Sequence, residues 1–262
     1  DIRRGTSSQC FHGTEEELKE TKNTQPCLFA MELAAATVLI EKGIAPDVVA
    51  GFSLGEVVAA TVSGAFDSET GFRLVCKRGE LMQSEAERFD TSMAAVVKLT
   101  PERVQEVCNK YSEVYPVNFN CPGQITVSGI SSQMTDFFAD VKAAGGRAIP
   151  LKVKGAFHSP FMKAAAESFA EELEKAETKE RSITLYSNMT AEVYTDDVVG
   201  LLSKQICSPV QWEKIIRNMI ADGVDAFIEI GPGKTLTNMI KKIDAEVKAV
   251  SVNDYLAEVD VC

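Results

Sequence analysis

Histidine and tryptophan are scarce in this chain: 262 residues contain two histidines and one tryptophan. Imidazole chemistry therefore has only two places to reside. Cations are also in deficit, with 27 Lys plus Arg against 38 Asp plus Glu and a net charge of −11. A protein that tracks nucleic-acid phosphates needs the opposite sign, so nucleic acid is not expected as a partner. Long apolar runs are missing. The longest, from Leu28 to Ile40, is about 13 residues and carries Glu32, too short and too polar to cross a bilayer. No signal-peptide pattern is visible. Seven cysteines are present (Cys10, Cys27, Cys76, Cys108, Cys121, Cys207 and Cys262), an odd number with no C-x-x-C pair. That usage predicts reduced thiols in a cytoplasmic protein without membrane contact, and neither a disulfide framework nor a metal cage. The chain starts at Asp1 in a polar stretch and reads as a fragment or processed form. Against these lacks, apolar residues make up 45% and charged residues 25%, the balance of a globular chain with a substantial core.

The order of elements changes twice along the sequence. Residues 25–43 form an Ala-rich apolar run stopped by Lys42-Gly43, a helix with a Gly stop. Asp47 to Gly51 predicts a short buried strand, Gly55 to Gly64 a small-residue helix, and Thr70 to Glu87 a longer helix capped by Asp67 or Ser68. Helix, strand, helix in this order indicates a parallel α/β core. The middle reads as strand 93–99, helix 101–111, strands 114–120 and 124–130, helix 134–144 and strand 147–153. That order is βαββαβ, the split-βαβ or ferredoxin-like arrangement. Beyond it follow helix 164–178, strand 183–187, helix 210–223, strand 226–230 running into Gly231-Pro232-Gly233, and helix 234–243. The expected architecture is a discontinuous α/β domain, residues 1–91 and 155–262, with a small domain inserted at 92–154.

Gly51-Phe52-Ser53-Leu54-Gly55 is a G-x-S-x-G placed between a predicted strand and a predicted helix. A tight strand-to-helix turn projects the serine oxygen from the sheet, and the glycines let the backbone approach closely. The helix N-terminus then offers free N–H groups, Leu54 among them, to a developing oxyanion. A serine nucleophile needs a base. His12 lies in a polar segment near the start of the chain, whereas His158 follows the last strand of the insert, where it can reach an interdomain cleft. His158 is the expected base.

Several further segments carry a resemblance. Gly51-Phe52-Ser53-Leu54-Gly55-Glu56, Arg78-Gly79-Glu80-Leu81-Met82-Gln83, Val117-Asn118-Phe119-Asn120-Cys121-Pro122-Gly123-Gln124, Phe157-His158-Ser159, Pro209-Val210-Gln211-Trp212 and Gly231-Pro232-Gly233-Lys234, with Thr24-Gln25-Pro26 near the start, run in one register along nearly the whole chain. Together they resemble the malonyl-CoA:acyl carrier protein transacylases. The resemblance implies an α/β-hydrolase-like parallel-sheet core with a ferredoxin-like insert, and a Ser–His dyad on Ser53 and His158. It implies that Arg78 holds the malonyl carboxylate, as a guanidinium fork can, and that the Gln205 backbone carbonyl orients the histidine. It places Gln25, Asn118 and Asn120 near the acyl pocket. It implies malonyl-CoA and an acyl carrier protein as substrates, with no bound cofactor. Two departures stand out. Phe52 occupies a position usually held by histidine, and the Gly-Gln-Gly loop that supplies the second oxyanion donor and the first strand has no counterpart, the chain starting after it.

The mechanism so implied passes malonyl through Ser53 with ping-pong kinetics, in fatty-acid or polyketide synthesis. Phe157 should crowd a 2-methyl group and favour malonyl over methylmalonyl. Lys152 with Lys154, or Lys241 with Lys242, are candidate patches for an acidic carrier. Two other readings fit the motifs: an α/β-hydrolase-type thioesterase or lipase, and a non-catalytic carrier-binding module.

Overall fold

A computed structural model describes residues 2–259. Three helices lead the chain, α1 (Thr6–His12), α2 (Glu15–Lys19) and α3 (Thr21–Glu41). The sequence reading starts the third of these at Gln25, where the apolar run begins; in the structure it starts at Thr21 and Pro26 stands inside it. Next come β1 (Val48–Val49), α4 (Leu54–Val62) and α5 (Ser68–Arg88), with Asp67 capping the last through the Thr70 N–H at 2.8 Å. Then follow β2 (Thr91–Val97), α6 (Pro101–Cys108), β3 (Val114–Cys121), β4 (Gln124–Ile130), α7 (Ser131–Ala143) and β5 (Arg147–Lys154). The chain continues through a 3₁₀ turn (Pro160–Met162), α8 (Lys163–Glu174), β6 (Thr184–Leu185), α9 (Val198–Gln205) and α10 (Trp212–Ala221). It closes with β7 (Ala226–Glu229), α11 (Thr235–Ile243), β8 (Lys248–Ser251) and α12 (Val252–Val259). Helices and sheets alternate in an α/β fold.

The four middle strands form one antiparallel sheet in the order β3-β4-β2-β5. Val96, Ile125, Val127, Phe137 and Val141 close the core between this sheet and its two helices. Elsewhere β1 pairs in parallel with β6, and β7 in parallel with β8, as separate two-stranded sheets among the described residues. The predicted strand 47–51 is thus shorter in the structure, since only Val48 and Val49 find ladder partners. The outlying helices cover these sheets. Val57, Ala60, Val75, Phe169 and Leu202 bury α4, α5, α8 and α9 against one another, and Trp212, Ile215, Ile240 and Ala249 join α10 and α11 to β8.

Two contacts tie the middle sheet to the rest of the chain and set the site. Val210 pairs in parallel beside β3, opposite Asn118, through Phe119 N–H to Val210 O and Val210 N–H to Val117 O, each 2.9 Å. The loop after β5 returns across α9, where the His158 N–H donates to Ile206 O at 3.1 Å. The six described cysteines are all free, and Cys262 lies outside the described residues. Among the described residues no helix is long and apolar enough to cross a membrane.

Candidate active site

The G-x-S-x-G segment makes a sharp turn between β1 and α4. A Cβ on Gly51 would fall 1.9 Å from the carbonyl carbon and oxygen of Gly55, so no side chain fits there. Ser53 stands at the N-cap of α4 with φ 54 and ψ −108, a conformation that costs a non-glycine residue on the order of 1–3 kcal/mol. It does not use its hydroxyl as a cap. Instead Ser53 Oγ lies 2.7 Å from His158 Nε2. Leu54 is the first residue of α4, and its N–H is one of the orphan donors of the helix start.

His158 is 3% exposed. Its Nδ1 sits 2.9 Å from the backbone carbonyl of Gln205, in the last turn of α9. A carbonyl can only accept, so Nδ1 carries the proton and Nε2 presents its lone pair to the serine hydroxyl. Burial, and after it the nearby Arg78 cation, bring the imidazole pKa down to about 4. At neutral pH the ring is uncharged and able to take a proton.

Arg78, on α5, is 1% exposed. Nη1 donates to Gln25 Oε1 at 2.7 Å, and Nη2 donates to Gln205 Oε1 at 2.8 Å and to Ser53 Oγ at 3.3 Å. Its Nε is buried with no hydrogen-bond partner among the described residues. Burial, opposed in part by Glu56, brings its pKa down to about 10, so it stays a cation at neutral pH. Its side-chain partners are therefore neutral amides and a hydroxyl. A buried guanidinium beside a serine nucleophile, without a carboxylate hydrogen-bonded to it among the described residues, is a charge awaiting an anion.

Gln205 joins the parts. Besides the two contacts above, its Nε2 donates to Ser53 O at 2.6 Å, so one residue touches the nucleophile, the base and the arginine. Gln25 also donates to Met82 Sδ at 3.4 Å. Asn118 and Asn120 stand apart from this cluster. Asn120 Nδ2 donates to Thr126 Oγ1 at 3.2 Å, and the Oδ1 atoms of both asparagines are buried without a partner among the described residues. No hydrogen bond among the described residues joins either to Ser53, His158 or Arg78. Phe52 packs its ring edge-on to Trp212, centroids 5.6 Å apart. His12 is exposed at the end of α1. Lys241 and Lys242 are exposed in the last turn of α11 and Lys152 is exposed on β5; the side chain of Lys154 lies outside what the structure describes.

Residue patterns alone do not reveal Asn188 or Tyr194. Asn188, just past β6, accepts from the Ser53 N–H at 2.7 Å, and Tyr194 donates to Glu56 Oε1 at 2.7 Å. Their only sequence signal is a polar cluster behind a short strand, common to many loops. Among the described residues no group of three or more His, Cys, Asp or Glu side chains has the arrangement to hold a metal ion.

A strained serine, a neutral buried histidine and helix N–H groups define an acyl-transferring serine enzyme of the Ser–His kind. A family model for the acyl transferase domain matches residues 8–258, and the chain belongs to that family. A malonyl CoA-acyl carrier protein transacylase of Bacillus subtilis (strain 168) is 39% identical over 256 residues, covering 95% of this chain and 80% of that protein. The crystal structure of a malonyl CoA-acyl carrier protein transacylase from Clostridium perfringens superposes with a TM-score of 0.93 at 36% identity, over 98% of this chain and 84% of that one. A malonyl-transacylase in complex with its type II polyketide acyl-carrier protein gives a TM-score of 0.87 at 33% identity, over 94% and 84% of the two chains.

Proposed function

We propose that the protein transfers a malonyl group from malonyl-CoA to the phosphopantetheine thiol of an acyl carrier protein, through a malonyl ester on Ser53. The observation that carries this reading is Arg78, a buried cation held by neutral carboxamides 3.3 Å from the nucleophile. A malonyl thioester places its reacting carbonyl and its free carboxylate two bonds apart, so a carboxylate on the Arg78 fork brings the carbonyl to Ser53 Oγ.

Each half-reaction then follows from the geometry. His158 Nε2 takes the serine proton as Oγ forms its bond to the thioester carbon, and the Leu54 N–H donates to the oxyanion. The carbon–sulfur bond breaks and His158 returns the proton to the departing thiolate. The carrier thiol gives its proton to the same nitrogen, attacks the malonyl ester, and Ser53 recovers its hydrogen. The Gln205 carbonyl replaces a triad carboxylate, holding the tautomer without adding charge. Gln25 positions Arg78, and Asn118 and Asn120 line the approach to the acyl pocket.

This reading includes an α/β-hydrolase-like core, residues 1–91 and 155–262, with a ferredoxin-like insert at 92–154; the βαββαβ order and the strand order β3-β4-β2-β5 support it. It places the protein in the cytoplasm, where its free cysteines stay reduced, and the carrier against the exposed Lys241–Lys242 turn. The test compares malonyl-, methylmalonyl- and acetyl-CoA on the parent and on Arg78→Ala. The parent should favour malonyl over both others, Phe157 crowding the 2-methyl group. Loss of the bidentate contact should lower malonyl kcat/KM by about 10²-fold or more and leave acetyl transfer relatively favoured. Unchanged selectivity contradicts the role of Arg78, and equal kcat/KM for malonyl and methylmalonyl contradicts that of Phe157.

A further inference from the structure

The Ser53 turn is held from outside itself by Gln205, at the Ser53 carbonyl, and by Asn188, the side chain that reaches both of its ends. The Ser53 N–H donates to Asn188 Oδ1 at 2.7 Å, and Nδ2 of the same carboxamide donates to Gly51 O at 2.5 Å. Asn188 thus bridges both ends of the turn that presents the nucleophile. It is wholly buried, and its main chain is equally committed: its N–H donates to Glu56 Oε1 at 2.9 Å and its carbonyl accepts from the Gln211 N–H at 2.8 Å. Glu56 is wholly buried in the first turn of α4, and its Oε1 also accepts from the Tyr194 hydroxyl. The clamp is therefore anchored to the very helix whose start it shapes.

We propose that Asn188 is a positioning residue of the nucleophile, its carboxamide holding the Gly51–Ser53 turn in the positive-φ geometry that aims Ser53 Oγ at His158, with Glu56 fixing Asn188 in turn. The proposal rests on the acyl-Ser53 reading above. Asparagine suits the task because one planar group supplies a donor and an acceptor side by side; an aspartate offers acceptors alone and an alanine neither. The arrangement has a consequence for the chemistry. The Ser53 N–H is occupied by Asn188, so the elbow presents the Leu54 N–H, and not that of Ser53, to the oxyanion.

The test uses Asn188→Ala and the nearly isosteric Asn188→Asp in the full chain, with rates normalised to the folded fraction by thermal unfolding. Two probes are compared: single-turnover acylation by malonyl-CoA, and phosphonylation of Ser53 by a small uncharged fluorophosphonate that needs no arginine. A nucleophile out of aim should react about 10²-fold more slowly with both probes for Asn188→Ala, and by a smaller factor for Asn188→Asp, which keeps the acceptor. The KM for malonyl-CoA should stay within about threefold of the parent, because uniform binding is untouched. Rates within threefold of the parent for both variants, or a loss confined to KM, overturn the proposal. If Asn188→Ala does not fold, Asn188→Asp decides alone: a loss of about tenfold or more in both rates supports the clamp, and anything smaller contradicts it. A parent that is phosphonylated but not acylated would sink the malonyl reading, and the phosphonylation rates would then judge Asn188 by themselves.

Discussion

His158 and Arg78 are both buried beside Ser53, and that burial together with the Arg78 charge sets the pH behaviour of the free enzyme. The imidazole must stay neutral to act as base. Burial and the Arg78 cation both disfavour its charged form and bring its pKa to about 4. The lowered pKa means that protons bind the folded ring less readily than a free imidazole. Reactivity should therefore persist as pH falls through 6.5, and be lost only near pH 4. The phosphonylation rate of Ser53 between pH 4 and 8 checks this, and an acidic inflection near 6.5 would contradict it. At this scale the sequence was informative because so few residues could serve. With two histidines, the choice of His158 nearly followed by elimination. Asn188, Tyr194 and the side-chain contacts of Gln205 were not legible, because they belong to the core by virtue of long-range contacts: Asn188 lies 135 residues from Ser53 in the chain. Asn118 and Asn120 illustrate the reverse, residues with a readable motif that the structure leaves outside the hydrogen-bonded cluster.

Among the elements, the turn from β1 into α4 is the most constrained. A Gly51 side chain would meet backbone atoms of Gly55 and Glu56 at 1.9 to 2.3 Å, and backbone cannot step aside as a flexible side chain can. Gly51→Ala should therefore destabilise the fold by about 3 kcal/mol or more, since overpacking against rigid atoms exceeds the usual range, and should slow Ser53 acylation in the surviving folded molecules. Thermal unfolding and single-turnover acylation check both; an unchanged Tm would mean the turn is looser than described. Elements with strong periodicity or clear punctuation were legible, including α5, β2 to β5 and α11. Their ends shifted by a few residues because caps and ladder partners, not propensity, decide where an element stops. The short helices α1 and α2, and α9 with Gly200 in its middle, carry too few turns for periodicity to register, and the four-residue β8 likewise. They form because the rest of the molecule packs on them: Leu202 of α9 is buried against α8 and its neighbours.

At the scale of the whole molecule, the acidic excess is mostly surface, yet some carboxyl groups are drawn inward. Glu56 was met above. Glu32, on α3, faces Gly55 and Gly231, and burial with the neighbouring Glu229 charge raises its pKa to about 8. A raised folded pKa means the folded state holds this proton more tightly than the unfolded chain. The stability it contributes is full below the unfolded value near 4.5 and is lost as pH rises through 8. Glu32→Gln, which cannot ionise, should therefore lose less Tm than the parent between pH 5 and 9. Parallel pH dependence in the two proteins would show that Glu32 ionises as freely folded as unfolded. The whole-chain order of segments was readable, and so was the succession of strands and helices from β2 to β5, because apolar periodicity and turn residues mark each of them locally. The pairing of β1 with β6 and of β3 with Val210 was not, since nothing local specifies contacts between distant segments.

The most direct measurement is the intact mass of the protein after brief mixing with malonyl-CoA, beside Ser53→Ala. One malonyl adduct on the parent, absent from Ser53→Ala and discharged by a holo acyl carrier protein, is the expected result. Coenzyme A and free malonate released with no adduct would contradict a transferase and favour a hydrolase. Neither adduct nor release would contradict catalysis by Ser53 in this chain altogether.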